Sequence, residues 1–593
     1  MSVVGQSLPE QVRASEVQVV VPAVTEPPAD DAPSGEPAGD HPFERGLHIA
    51  ERAAWSIVWL AVITAGVNVW GFWWASPVVG ALGPLMVLAG TAGAIATFTA
   101  RTPRSPLLQR LAFAAVVVAV VFPQAVVIHT RVFVTTDSAA FDQASARALL
   151  QGHDPYTVSL AGVARMFSVP ARFWTYTVNG GHVTHASYPA GSFLVDVPAM
   201  ALGLRHMVVD WVDLAAWIVC IALFFVLLPV ALRWLAGLLA LTPVFVGMFS
   251  NGGTDAVFLP LLLLAVWRWD RYGAGREAGV ARWLGPIALG LACAVKQTPW
   301  FCVPFLVTGV ALEATGAGRP ALRTAARYGA TVVAVFGVVN LPFIVWQPAA
   351  WARGTLLPLR GGLVADGQGL VALATHGVTR GVDIGALAVA GALVYATLLI
   401  AWLRWYPALK RVWLLAVPLA LFFSPRSLSS YLVDLFPVAV IAAVSVHGRG
   451  GTVPVRRLVR RAGVAGVAVA SIGALAAGGL AFASHPLGIS VDGVKVDGGG
   501  RHLEAVTVTV RNLTRAPQRP HFTVNPGAGT SGFWPMSPPA PLVLGPGKTA
   551  TVTLEAPVTT SAPQPGARWV VEAYTSSPST LSTSTLQVWA GSR

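Results

Sequence analysis

The chain has 593 residues, of which 54% are hydrophobic and only 11% charged, and its mean hydropathy is +0.63. A chain this apolar cannot keep its surface in water, which excludes an ordinary soluble protein and leaves a polytopic membrane protein as the expectation. The formal net charge of +13 does not point to nucleic acid, because Arg and Lys gather in short loops between apolar segments, which is a topology signal.

Residues 1–44 are rich in Pro, Ala, Glu and Asp, as in Glu26-Pro-Pro-Ala-Asp-Asp, and carry no lasting apolar period. They predict a disordered cytoplasmic tail. No cleavable signal is legible before the first long apolar run near Ala53. About fourteen apolar segments follow, at 53–70, 77–100, 107–128, 188–205, 211–232, 235–249, 254–269, 283–296, 298–314, 325–346, 384–404, 411–423, 428–446 and 463–483. Runs such as Ala53 to Trp70 and Leu111 to Ile128 contain no charge and are long enough to cross the hydrocarbon core as helices. They show none of the period-two alternation of a membrane β-barrel.

Basic loops mark the cytoplasmic side: Arg101 to Arg110, Arg268 to Arg282, Arg319 to Arg327, Arg404 to Arg411 and Arg456 to Arg461. The long loops 129–187 and 347–383 then lie outside, as does everything after the last span. A cytoplasmic N-terminus and an external C-terminus require an odd number of crossings, so about thirteen transmembrane helices are expected over residues 45–484. One segment between 188 and 249 is then a re-entrant or tilted half-helix. From about Ser484 the pattern changes to alternating runs such as Leu503 to Arg511 and Thr549 to Glu555, separated by Gly/Pro turns. Residues 485–593 therefore predict an external β-sandwich, immunoglobulin-like or fibronectin-like in layout. The fold expectation is an all-α polytopic membrane protein with a C-terminal all-β sandwich domain.

Candidate chemistry concentrates between Thr135 and Tyr156 of the first external loop. A helix is predicted from Asp137 to Leu150, stopped by Gly152, with Asp154-Pro155 turning the chain back toward the bilayer. Asp137 reads as a helix N-cap, as a catalytic base, or as both. Asp142 reads as a solvated helix face, and Asp154-Pro-Tyr156 as a turn that packs its ring. Ionisable residues at membrane depth are expensive and so informative. Lys296 in Ala294-Val-Lys-Gln-Thr-Pro299 is either a snorkelling lysine at a tight turn or a cation for a lipid phosphate. Asp255 in Asn251-Gly-Gly-Thr-Asp255 caps a helix or lines a polar cavity. Arg426 is a second external cation, with Tyr431 and Asp434 close behind, and Arg353, Arg360, Asp366 and His376 in the second long loop read as solvated residues or as binders of sugar or phosphate.

Cys220, Cys293 and Cys302 all sit inside apolar runs and read as small core residues. His182 and His185 have metal-like spacing without a third ligand nearby, so no metal is expected. No GxGxxG, Walker or HExxH pattern supports nucleotide or zinc chemistry.

Taken in order, several short motifs resemble the GT-C glycosyltransferases, particularly the bacterial branch that uses polyprenyl-phosphate sugars and contains α-mannosyltransferases. The marks are Asp137-x-x-x-Phe141, the Ala-rich helix ending Leu150-x-Gly-x-Asp-Pro-Tyr156, Tyr188-Pro189 opening the next apolar segment, Asn251-Gly-Gly-Thr-Asp255 and Ala294-Val-Lys-Gln-Thr-Pro299. The resemblance covers about residues 50–450 and not the tail or the β-domain. Tyr188-Pro189-Ala190 departs from the more usual double proline. The resemblance implies that Asp137 is the base that deprotonates an acceptor hydroxyl, and that the lipid phosphate is displaced with inversion in one step. Lys296 and Arg426 are then the cations expected at the departing phosphate. Tyr156, Tyr188, Asn251, Asp255 and His376 complete the expected donor- and substrate-binding set.

The partners so implied are membrane lipids, a polyprenyl-phosphate sugar acting as donor substrate rather than cofactor, and a glycan or glycolipid acceptor. The location is the bacterial cytoplasmic membrane, with the active site on the external face. In the β-domain, Trp534 and Trp569 are sugar-stacking candidates, Trp569 being the better placed for core packing. The rival class is a non-enzymatic transporter or flippase for lipid-linked sugars, which predicts internal repeats with interrupted helices. The chain shows no such repeats.

Overall fold

A computed structural model describes residues 42–70, 77–99, 106–131, 134, 136–250, 254–277, 279–360, 362–446, 457–525, 532–537, 541–557, 560–563 and 567–587. The expected tail up to residue 41, and Asn251, lie outside the described residues.

Every apolar segment of the sequence has a helical counterpart, but the helices fall into two kinds. Seven among the described residues are long and apolar enough to cross a membrane: Ala50–Trp70, Pro106–Thr130, Val208–Leu227, Thr298–Gly316, Ala321–Trp346, Ile384–Arg404 and Gly463–Ala483. Shorter apolar helices include Asp255–Val266 and Ala281–Val295. The expected count of about thirteen is therefore not what the described helices show. Helical rise explains why: the 12 residues of Asp255–Val266 reach about 18 Å, against a hydrocarbon core of about 30 Å. Its residues are almost all buried, the condition under which short or broken helices persist at membrane depth. In the stretch where parity demanded an odd segment, the chain is cut into Gly191–Leu194, Val197–Ala201, Trp234–Ala240 and Pro243–Ser250. Pro198, Pro229 and Pro243 stand at these breaks, where a missing N–H and a fixed φ end a helix.

The C-terminal region forms two four-stranded sheets. One runs, in spatial order, Leu487–Val496, Leu503–Asn512, Thr549–Glu555 and Met536–Ser537, with every neighbouring pair antiparallel. Along Leu503–Asn512 the residues Val506, Val508 and Val510 are fully buried, the inward face of an alternating strand. They pack with Phe522, Trp534, Trp569 and Leu554. Trp534 is only 3% exposed and Trp569 only 7%. Neither ring offers a face to a sugar, which corrects the stacking expectation for Trp534 and leaves Trp569 in its core role.

The second sheet runs Gly381–Asp383, Ser579–Gln587, Arg568–Ser576 and His521–Asn525. Its first strand comes from the long loop 347–383, immediately before the apolar helix that starts at Ile384. Gly381 (φ +152°) allows this pairing, since a Cβ there would meet the Leu581 carbonyl oxygen at 2.3 Å. A seam of Tyr176, Val178, Val364, Val382, Tyr574 and Leu581 closes beneath the sheet. Tyr574 Oη donates to the Ala365 carbonyl at 3.1 Å, and Arg568 Nη2 to the Gly377 carbonyl at 2.6 Å. The β-domain is thus packed on both long loops of the helical part.

Candidate active site

The loop helix runs from Asp137 to Leu150, the bounds read from the sequence. Thr136 is its N-cap: the backbone is extended and Thr136 Oγ1 accepts the Ala139 N–H at 3.3 Å. Asp137 occupies the first helical turn, where a negative charge suits the helix dipole, and its carboxylate is not consumed in capping. Instead it accepts hydrogen bonds from the Thr175 backbone N–H and, at 3.2 Å, from Thr175 Oγ1. Burial raises the Asp137 pKa above the ordinary carboxylate value, against the lowering pull of the Thr175 hydrogen bonds and of the Arg426 charge. A carboxylate so held is a stronger base than a free aspartate.

Beyond the helix, Gly152 takes a left-handed φ of +79° and ends it as expected. Asp154 Oδ1 accepts the Tyr156 N–H at 3.0 Å, closing the turn. The Tyr156 ring packs edge-on against Phe193 and Phe343, each at 5.9 Å, and its hydroxyl donates to the Tyr188 carbonyl at 2.7 Å. Tyr156 therefore holds the backbone of Tyr188 in place.

Asp142 does not lie on a solvated face. It is buried and accepts Ser192 Oγ–H at 2.8 Å, and its pKa is pushed up to about 7 by burial. The helix packs against Gly191–Leu194, Val197–Ala201 and Val208–Leu227, and Gln143 Oε1 accepts the Val208 N–H at 3.1 Å, so the face expected to be wet is covered.

A cavity of about 280 Å³ opens beside Asp137, lined among others by Trp174, Thr175, Tyr188, Lys296, Gln297, Asp366, Arg426 and Tyr431. Lys296 already has its anion: Nζ lies 2.7 Å from Asp255 Oδ1, between the Tyr188 and Tyr431 rings at 5.4 and 5.3 Å. Asp255, at the start of Asp255–Val266, directs its carboxylate to that ammonium. Gln297 Nε2 donates to the Ser187 and Thr355 carbonyls at 3.0 and 2.7 Å, fastening the same turn. Arg426 stands differently. It pairs through its backbone with Asp366 in a two-residue parallel ladder, and Nη1 donates to the Val364 carbonyl at 3.3 Å. Among the described residues no ion pair occupies its guanidinium. His376 is not brought to the cavity; it is exposed after the short helix Ala372–Thr375, with Nδ1 against the Ala372 carbonyl at 2.9 Å.

The polar cavity adjoins a second of about 260 Å³, and Phe301, Leu359, Leu363, Leu421 and Arg426 line both. Its far wall is Ala388, Gly391, Ala392 and Tyr395, on one face of the long apolar helix Ile384–Arg404. Small residues at that spacing leave an apolar groove along a membrane-length helix, with Arg426 where it meets the polar cavity. Asp366, a candidate from the second long loop, does line the cavity, and Thr175 is the site residue that sequence reasoning did not single out as chemical. Thr175 lies 38 residues from Asp137 and carries no motif.

Fold and site together describe a chain with membrane-length apolar helices, a β-rich C-terminal region, and a cavity that joins a carboxylate and a guanidinium to an apolar groove. No protein-family model and no curated protein matches the chain. The solved structure of Pseudomonas fluorescens alkylpurine DNA glycosylase AlkC, bound to DNA containing an abasic site analog, aligns at 10% identity with a TM-score of 0.17. That alignment covers 64% of this chain and 99% of the glycosylase, and a likeness this slight carries no argument about fold or function.

Proposed function

We propose that the protein is a membrane glycosyltransferase of the GT-C type, moving a mannose- or arabinose-like sugar from a polyprenyl phosphate to a glycan or glycolipid acceptor of the bacterial envelope, on the external face. The observation that carries this reading is the junction at Arg426. A donor with a long apolar tail and a charged phosphate needs an apolar groove, a cation where the groove ends, and a base beyond it. Ala388 to Tyr395, Arg426 and Asp137 supply these in that order around joined cavities.

The acceptor hydroxyl oxygen attacks the anomeric carbon as Asp137 takes its proton. The carbon–oxygen bond to the phosphate breaks on the opposite face, its electron pair leaves with the phosphate, and Arg426 stabilises the added charge. One displacement inverts the anomeric centre, so a second carboxylate has no part in the step. Lys296, neutralised by Asp255, holds Tyr188 and Tyr431 in the cavity wall rather than meeting the phosphate first.

A flippase for lipid-linked sugars is the second reading, favoured by the broken helices between 191 and 302. Proteoliposomes carrying radiolabelled polyprenyl-phosphate sugar separate the two. Transferase action releases polyprenyl phosphate and moves label to the acceptor. Label that crosses the bilayer still attached to its lipid, with no donor consumed, would sink the transferase reading.

A further inference from the structure

A third cavity, of about 440 Å³, is lined by residues of the two long loops, among them His182 and Arg353. Val183 and Leu357 line both it and the polar cavity around Asp137, so the two adjoin and share those two residues of wall. Its volume falls in the range of small-ligand sites. Its polar lining consists of hydroxyls, including those of Thr157 and Thr184, the imidazoles of His182 and His185, and the guanidinium of Arg353 in the last turn of Pro348–Leu356. No acidic side chain lines it among the described residues.

His182 gives a second, independent pointer. Its ring is held against Trp174 at 5.0 Å, and Trp174 Nε1 is itself anchored on the Val169 carbonyl at 2.9 Å. Yet His182 Nε2 is shut off from solvent and has no hydrogen-bond partner. A buried, unsatisfied ring nitrogen costs free energy, and a turn of the ring toward the cleft lets a ligand hydroxyl or phosphate oxygen relieve it. Burial and the Arg353 charge lower the His185 pKa, and its Nδ1 pairs with Thr184 Oγ1 at 3.0 Å, which ties the two side chains together in the wall of the cleft.

We propose that this cleft is the seat of the acceptor and that the acceptor is a saccharide bearing a phosphate, the sugar hydroxyls meeting the threonines and imidazoles and the phosphate meeting Arg353. This rests on the transferase reading for the word acceptor, though not for the binding itself. Guanidinium suits phosphate because it offers paired donors in a fixed plane.

The test is equilibrium binding of glucose 6-phosphate and of glucose to the full chain in phosphatidylcholine nanodiscs. The phosphate sugar is expected to bind on the order of tenfold tighter than glucose, and Arg353→Ala to erase that preference while Arg353→Lys keeps part of it. Thr184→Val is expected to weaken both sugars alike. Equal affinity for the two sugars, or unchanged phosphate preference in Arg353→Ala, overturns the proposal. Repeating the titration with phosphatidylglycerol in the nanodiscs separates the sources: competition by the lipid assigns the phosphate to a headgroup, and its absence to a free phosphorylated saccharide. Because no transfer is measured, failure here leaves the transferase reading intact, and failure of that reading leaves this result standing.

Discussion

The two cations of the cavity sit in contrasting surroundings. On one side Lys296 is buried, ion-paired with Asp255 at 2.7 Å and flanked by two tyrosine rings. On the other, Arg426 holds a single long hydrogen bond to a carbonyl and stands where the apolar groove begins. A buried pair with good geometry spends its charge on itself, and removing one partner strands the other. A guanidinium without an ion pair keeps its charge for a ligand. Position in the sequence made the two look alike, whereas their neighbours leave one ion-paired and the other without an ion pair among the described residues.

Substitution can break that contrast. Arg426→Ala is expected to lower the rate of sugar transfer by on the order of a hundredfold, with Arg426→Lys recovering part, as read from single-turnover donor consumption. Lys296→Met is expected to act on the fold, destabilising it by about 3–5 kcal/mol because Asp255 is left buried and unpaired. Thermal or denaturant unfolding in detergent checks this, and Lys296→Met with Asp255→Leu should regain most of the loss. If Lys296→Met melts like wild type yet loses transfer, the two cations have been assigned the wrong way round.

The β-domain offers a weaker handle on the same site. Phe533 lies edge-on to Tyr176 at 5.4 Å, and the preceding residue, Thr175, is the one that grips Asp137. Phe533→Ala is therefore expected to lower transfer several-fold by loosening that grip, with acceptor KM unchanged and Phe533→Leu partly restoring the rate. A drop in Phe533→Ala that appears only in acceptor KM would favour glycan binding by the β-domain instead.

The smallest expected effect concerns pH. Asp142 has a folded pKa of about 7, above the ordinary 3.8 of an unfolded aspartate. Between those values the native state keeps a proton that the unfolded chain has lost, so this group's contribution to stability falls as pH rises from about 4 to about 7 and then levels off. Asp142→Asn should flatten that slope in melting temperatures measured across the window, leaving transfer little changed.

Local chemistry was readable where it is written locally. The bounds of Asp137–Leu150 follow from a Thr-Asp start and a Gly two residues past the end, and the apolar segments from simple runs. The Lys296–Asp255 pair joins two residues that were each singled out from the sequence, but 41 positions apart, and nothing in either motif says that they touch. Thr175 and the burial of Asp142 were illegible for the same reason, being facts about which loop folds over which helix. Seven of the described helices have membrane length where about thirteen crossings were expected, because an apolar run of twelve residues and one of twenty share a composition and differ in reach. The borrowed strand Gly381–Asp383 is three residues long, too short for any alternation to show.

The central claim is that the carboxylate gripped by Thr175 takes the acceptor's proton. Its most direct test is single-turnover transfer from radiolabelled polyprenyl-phosphate sugar by the full chain in nanodiscs, wild type against Asp137→Asn, with unfolding curves showing that both are folded. The account predicts transfer slower by about 10²–10⁴-fold in Asp137→Asn. Transfer at the wild-type rate would contradict it.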